Sequence, residues 1–332
     1  MEPLISVIIV NYNGKKYLKN CFDSLRGGRY TNFEMIFVDN GSTDQSLELV
    51  RQGYPSIKII DNKANLGLAV ASNNGARAAK GKYLFFLNND TISHPDILSE
   101  LAGAAESDPR IGVCACKNMT YDGMREVSLG LSCDIFGFPF ENEGPIFYAD
   151  AGIFIRREVF DEIGGFDPKL FLYGEDRDLC WRVLLQGYNV VGVPTAVFYH
   201  DSGCTHISRG GYTTNIRKRY LGEYAMLRSM LKNYSLETLL VILPCYLILT
   251  TFEIIFFLLK GEAKAVVFSY LRAYWQNMAD FTDTLQRRRF IQGIRRVGDD
   301  FVLKKMLKRS GKIHIFRKIG IPKFDNSHIF KG

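Results

Sequence analysis

Five short runs of mostly apolar, often β-branched or aromatic residues punctuate the first 120 positions, at 4–10, 33–38, 57–60, 83–87 and 111–115. They show no strict polar–apolar alternation, so each predicts a strand covered on both faces. The stretches between them, at 15–25, 44–52, 68–80 and 95–107, predict helices. This alternation restricts the region to an α/β fold, a doubly wound and mostly parallel sheet covered by helices. Ligands of such sheets bind outside the carboxyl ends of the strands. Three polar clusters fall there: Asn11-Tyr12-Asn13-Gly14, Asp39-Asn40-Gly41-Ser42 and Asn88-Asn89-Asp90.

Two nucleotide signatures are missing. The first strand-to-helix turn, NYNGKKYL, lacks GxGxxG, which disfavours a dinucleotide site. The nearest approach to a P-loop, Gly75 to Lys82, is one residue too long, and Tyr83 stands where Ser or Thr would meet magnesium.

The chain has 332 residues, about two domains' worth. With 47% hydrophobic and 23% charged residues, it is neither disordered nor a disulfide mini-scaffold. Its seven cysteines include no CxxC pair; Cys114 and Cys116 read as buried thiols in a reduced, cytosol-facing protein. The N-terminus lacks the basic start and long apolar core of a signal peptide, so no export of the catalytic part is expected.

The net charge of +7 is unevenly placed. Residues 286–332 hold 14 Lys and Arg against three acids, a net of +11, which leaves −4 for the rest. Just upstream, residues 235–259 read SLETLLVILPCYLILTTFEIIFFLL, long enough as a helix to cross a bilayer core. A basic tail beside such a segment suits an anionic membrane surface better than nucleic acid, and no nucleic-acid partner is expected. Both flanks are basic, and Pro244 and Glu253 interrupt the segment. Monotopic or re-entrant attachment through residues 235–285 is therefore expected ahead of a single span. The expected organisation is a catalytic domain over 1–215, a helical membrane-associated region over 216–285 and a basic tail over 286–332.

Four strings occur in order: SVIIVNYNG, FVDNGSTDQS, NLGLAVASNNGARAAKGKYLFFLNNDT and GGFDPKLFLYGEDRDLCWRVLLQGY. Together they resemble family 2 glycosyltransferases of the GT-A fold, most closely the rhamnosyltransferase-type branch, over residues 4–205. The resemblance implies that Asn11 and Asp39, with Asn40, line a nucleotide pocket. Asp39 also has a reading of its own: a carboxylate ending a strand can accept from a base or ribose. Its alternative, capping the next helix, is compatible because Ser42 or Thr43 suffices for the cap. Asn65 and Gly67 sit at a helix start, where backbone N–H groups suit anions.

Asn88-Asn89-Asp90 occupies the place of the family's DxD motif. The resemblance makes Asp90 the acidic ligand of a divalent metal, Mn2+ or Mg2+, while Asn88, an amide in place of the first acid, bonds ribose or sugar. It also implies that His200 closes the metal site, that Asp176 is the general base and that Glu175 orients it or the acceptor. Asp178 and Arg182, further into the helix, are read as structural. Asp150, Ala151 and Gly152 are read as a floor beside donor and acceptor sugars. Residues 202–212, glycine-rich, are read as a lid. Ile216-Arg217-Lys218-Arg219-Tyr220 does not match the QxxRW string of processive relatives.

The expected function is therefore an inverting glycosyltransferase at the cytoplasmic face of the membrane. It would move a sugar such as rhamnose from a dTDP- or UDP-sugar to a glycan or polyprenyl-linked acceptor. A sugar nucleotidyltransferase and a non-catalytic membrane scaffold on the same fold remain the alternatives.

Overall fold

A computed structural model describes residues 2–141, 143–201, 213–321 and 323–325. The chain divides into two compact units. One comprises residues 1–132 and 141–202, the other 133–140 and 203–332.

The first unit begins with four βα repeats. In chain order these are β1 (Ile5–Asn11), α1 (Lys15–Arg26), β2 (Phe33–Asp39), α2 (Ser46–Gly53), β3 (Lys58–Asp61), α3 (Leu68–Ala78) and β4 (Tyr83–Asn88), then β5 (Thr91–Ser93) and α4 (Ile97–Ser107). There follow β6 (Ile111–Thr120), β7 (Glu126–Leu129), two short strands β8 (Leu131–Cys133) and β9 (Pro139–Glu141) at the ends of the 133–140 segment assigned to the second unit, β10 (Gly152–Arg156), α5 (Arg157–Glu162), α6 (Glu175–Leu185) and β11 (Asn189–His200).

The main sheet runs β3-β2-β1-β4-β10-β6-β11-β5, with β7 beside β6. Strands β1 to β4 pair in parallel, as does β11 with β6. The chain winds outward through β2 and β3, then returns to place β4 on the other side of β1. The strand order thus switches between β1 and β4, and this crevice is the expected ligand position. The antiparallel β10 lies between β4 and β6, an interruption that apolar pattern alone cannot reveal.

The five strand runs all form strands; β1, β2, β4 and β6 are mostly buried, whereas β3, at the sheet edge, is only half-buried. One core cluster packs Ile5, Val7, Ile9, Phe37, Phe85 and Phe154 with residues of α1 and α4. On the other face, α3 comes close to β1 through small residues: a Cβ on Gly75 would lie 2.4 Å from Ile8 Cγ2. Cys114 and Cys116 are buried on β6 as read, and among the described residues no cysteine is in a disulfide.

The second unit is mainly helical. It contains β12 (Thr213–Asn215), α7 (Ile216–Asn233), α8 (Leu236–Leu259) and α9 (Ala263–Ala265), which continues through a π-helical turn (Val266–Leu271) into α10 (Arg272–Ala279). Then come α11 (Phe281–Ile294), α12 (Asp299–Leu303), α13 (Gly311–Ile319) and β13 (Lys323–Asp325), which pairs in parallel with β12. The N-cap side chains Asn215 and Ser235 accept from Arg217 N and Thr238 N, fixing where α7 and α8 begin.

Among the described residues α8 is the one helix long and apolar enough to cross a membrane, and most of it is exposed. Glu253, the charge near its end, is not left alone: it pairs with Arg219 and Lys312. Much of the basic stretch after residue 285 is helical and anchored. Arg288, for example, donates to the carbonyls of Leu231 and Tyr234 at 2.7 Å.

Candidate active site

The site is built where β1, β2 and β4 end. Asn11, the last residue of β1, is fully buried; its Nδ2 donates to Ser42 Oγ at 2.9 Å and its Oδ1 accepts from Asn89 at 2.6 Å. These bonds tie the ends of all three strands together. Asn13 extends the seam, its Oδ1 accepting from Thr43 N at 2.7 Å. Gly14 keeps it tight: a Cβ there would lie 2.1 Å from Asn89 Nδ2. Asn13 and Asn89 fall within the polar clusters read from sequence, although no role was read for either.

Asp39 is 1% exposed at the end of β2. Its Oδ2 accepts from Gly41 N and Ser42 N at 3.2 and 3.0 Å, so the carboxylate holds the turn. Its Oδ1 is buried without a hydrogen-bond partner. The cap expected from Ser42 or Thr43 is absent. α2 starts later, at Ser46, behind Gln45 in a left-handed conformation and with no side-chain cap. Ser42 Oγ is already taken by Asn11 and by Asn13 N, and Asp44 instead bonds Lys15 N and Ser46 N.

Asn40 uses both ends of its amide within the protein. Nδ2 donates to Asn65 Oδ1 at 2.9 Å, and Oδ1 accepts from Asn62 and Leu66 N at 3.1 Å. It thereby holds Asn65, whose Oδ1 also accepts from Gly67 N. Gly67 has φ +85°, and a Cβ there would meet Phe171 at 2.7 to 2.9 Å. Leu68 N donates to Phe171 O at 2.7 Å. The start of α3 is thus locked to the loop that leads into α6.

Asn88 ends β4, and the chain turns through Thr91 Oγ1, which donates to Asn88 O at 2.7 Å. Asp90 is left free of that turn. β11 returns antiparallel to β5, pairing His200 with Thr91. Asp90 Oδ1 and His200 Nε2 lie 3.0 Å apart, and the Asn88 amide is 3.4 Å from the same nitrogen. The other ring nitrogen, His200 Nδ1, is buried without a partner. The carboxylate, imidazole and amide suit a divalent cation that keeps waters or phosphate oxygens in its other positions. Among the described residues no cluster of three or more His, Cys, Asp or Glu side chains could hold a metal by itself. Next to this trio, Tyr17 Oη donates to Asp201 Oδ2 at 2.6 Å. The segment 202–212, read as a lid, lies outside the described residues.

Residues 150–152 reach the same place through the sheet. β10 pairs Gly152 with Leu87, and Asn88 N donates to Ala151 O at 2.9 Å. Ala151 takes φ +55°, and Gly152 packs where a Cβ would lie 2.9 Å from Phe198. Asp150 accepts from Ser128 Oγ at 3.2 Å. Its charge also acts on Asp176, helping to push that carboxyl above the ordinary range.

Glu175 and Asp176 open α6, behind Gly174 at φ +104°. Asp176 Oδ1 accepts from Arg177 N at 2.7 Å, whereas Glu175 Oε2 is buried without a hydrogen-bond partner. A helix N-terminus favours carboxylates, yet burial wins here. Both groups hold their protons to higher pH than usual: Glu175 through burial and then Asp176, Asp176 chiefly through burial. Farther along, Asp178 and Arg182 form a buried pair at 3.0 Å, and Arg182 also donates to the carbonyls of Ile163 and Gly165. They hold α6 in place, the structural task read for them.

Residues 6–164 match the model of the family described as "Glycosyl transferase family 2". Residues 6–164 are thus a glycosyl transferase family 2 region. The chain is 30% identical over 224 residues to the O-antigen biosynthesis protein RfbC of Myxococcus xanthus, covering 60% of this chain and 17% of that one. It is 26% identical over 242 residues to an N-acetylglucosaminyl-diphospho-decaprenol L-rhamnosyltransferase of Mycobacterium tuberculosis, covering 62% and 78%. The matched stretches cover only part of these relatives: 17% of RfbC and, over 114 residues, 33% of the uncharacterized glycosyltransferase YibD of Escherichia coli. Among solved structures, S. aureus TarS 1-349 aligns with a TM-score of 0.51 at 18% identity, over 69% of this chain and 66% of that one. The chain thus has the expected GT-A fold.

Proposed function

We propose that this chain is an inverting glycosyltransferase that uses a nucleotide-diphosphate sugar and acts on a hydroxyl of a glycan or lipid-linked acceptor. One observation carries the reading. The Asn88 N to Ala151 O bond joins the polar cluster of Asn88, Asp90 and His200 to Asp150, whose charge is felt at Asp176. This link supports reading a site for the leaving diphosphate beside a proton-accepting carboxylate.

In this reading Asp39 and Asn11 line the nucleotide pocket, with Asn65 and Gly67 at its side and Asn40 holding Asn65. Asn88 bonds ribose or sugar. Asp176 takes the proton of the acceptor hydroxyl as its oxygen bonds the anomeric carbon and the bond to the diphosphate breaks on the opposite side. Burial and the charge of Asp150 keep Asp176 a stronger base than an exposed aspartate, and Glu175 orients it or the acceptor. Asp90 and His200 are the groups that would hold Mn2+ or Mg2+, which when bound neutralises charge on the diphosphate. The relatives' names, an O-antigen protein and a rhamnosyltransferase acting on a decaprenol-linked sugar, support a cell-envelope polysaccharide and a rhamnose-like donor on dTDP or UDP. The exposed apolar α8 and the basic C-terminal stretch support attachment to an anionic membrane at its cytoplasmic face.

The test is a panel of nucleotide sugars assayed for product and for thermal shift, with and without Mn2+. Release of nucleoside diphosphate, with a Mn2+-dependent shift that Asp90→Asn removes, is the expected result. Release of pyrophosphate from a nucleoside triphosphate would instead mark a nucleotidyltransferase.

A further inference from the structure

The second unit contains a cavity of about 300 Å³ between α8 and α13. Ligand cavities run from roughly 300 to 1,000 Å³, so this one has room for a narrow ligand. Its lining is apolar: Leu249, Phe252 and Phe256 from α8, and Ile313, Ile315 and Phe316 from α13. Phe256 and Phe316 meet edge to face with ring centres 5.9 Å apart.

The charged groups deep in the cavity satisfy one another. Lys312 Nζ lies 2.6 Å from Glu223 and 2.8 Å from Glu253, and Arg219 pairs with both carboxylates. Two cations balance two anions, so a charged ligand group entering here would lose water and gain no counter-charge. The interior therefore selects an uncharged chain.

The mouth differs. Phe252 and Phe316 there are 68% and 47% exposed. Phe252 also belongs to an outward apolar stripe of α8 with Val241, Ile248, Ile255 and Leu259, all exposed and all on one helical face. Cations flank it. Lys260 ends α8 with its Nζ 5.9 Å from the Phe256 ring, and Arg317 and Lys318 are exposed in the last turn of α13. An apolar slot with a cationic mouth, continuous with an apolar stripe, matches a hydrocarbon chain carrying a phosphate head.

We propose that this cavity binds one hydrocarbon chain of a phosphate-headed lipid, with the head among Lys260, Arg317 and Lys318. The assignment deepens the membrane-attached reading above and rests on it for its biological setting. Bilayer phospholipid and a lipid-linked acceptor share this chemistry.

The probe is a diazirine-tagged dioctanoyl phosphatidylglycerol, offered to the full chain as monomer so that labelling needs no vesicle. Adducts are expected on the slot residues Leu249, Phe256, Ile313, Ile315 and Phe316. Leu249→Trp and Ile315→Trp, which fill the slot, should each cut labelling about tenfold while thermal melts confirm folding. Arg317→Glu, on the exposed last turn, should weaken labelling without altering the interior. Competition by farnesyl phosphate or by untagged phosphatidylglycerol distinguishes an isoprenoid from an acyl source, and displacement by either supports the assignment. Labelling confined to the outer stripe at 241, 248 and 255, and unchanged in both filled variants, overturns it. Co-sedimentation with phosphatidylglycerol vesicles judges attachment separately. A chain that labels in the slot yet ignores vesicles retires the attachment reading and keeps the lipid slot.

Discussion

The two acids at the head of α6 show how position sets chemistry for a single side chain. Asp176 has a helix N-terminus and Arg177 in its favour, but burial and the charge of Asp150 outweigh them and raise its proton affinity. A base must be deprotonated to act, so turnover should rise with pH along a limb lying above the ordinary aspartate range. Asp176→Asn should cut turnover by about 10²–10⁴-fold. Thermal shift by the nucleotide should persist, and near-normal turnover with the true acceptor would remove Asp176 from the base role. Glu175 gives a stability prediction of opposite character. Its folded-state proton affinity is raised, so the folded chain binds more protons than the unfolded one just above the normal glutamate range. Stability is then kept at low pH and lost as pH rises through that window. Glu175→Gln should therefore raise Tm at neutral and higher pH but hardly at about pH 4. Melting curves across pH check this.

At the level of elements, two devices keep the strand ends and α6 in register. Gly67 combines a left-handed backbone with contact against Phe171, including its backbone oxygen at 2.8 Å. Gly67→Ala should cost about 1–3 kcal/mol and also weaken nucleotide binding, because it displaces both the start of α3 and the loop into α6. Denaturant titration and calorimetry read the two effects. The second device is the buried Asp178–Arg182 pair. Arg182→Met removes the guanidinium 3.0 Å from the buried Asp178 carboxylate and the donor to the carbonyls of Ile163 and Gly165, an expected loss of about 3–5 kcal/mol. The strands that bear the first cluster were legible because they are apolar through and through. The place of β10 was not: GIFIR is an ordinary apolar strand, and only antiparallel pairing with β4 brings residues 150–152 beside Asn88. α2 also began later than its sequence suggested, since Ser42 was already engaged by Asn11 and Asn13.

For the molecule as a whole, charge and apolar surface are concentrated in the second unit. Residues 286–332 carry a net +11, and the outward stripes of α8 and α10 present Phe252, Leu259, Trp275 and Met278 to solvent. The full chain should bind vesicles rich in phosphatidylglycerol, and added salt should weaken this binding, as expected for charges within a Debye length of about 8–10 Å. Binding to neutral phosphatidylcholine that equals the anionic case, and is indifferent to salt, would show that the basic residues contribute nothing.

From sequence alone came the α/β alternation, the polar strand ends and the family, because burial on both faces and tight turns leave local patterns in the residues themselves. The neighbours of each polar group came only with tertiary structure. Asn40 turned inward to hold Asn65, Asn89 joined Asn11, and Asp90 met His200 across 110 positions of chain. Glu253 found Arg219 and Lys312, which turned a charge in an apolar helix into the closed floor of a cavity. Such pairings depend on which strands and helices lie side by side, and no local pattern encodes that.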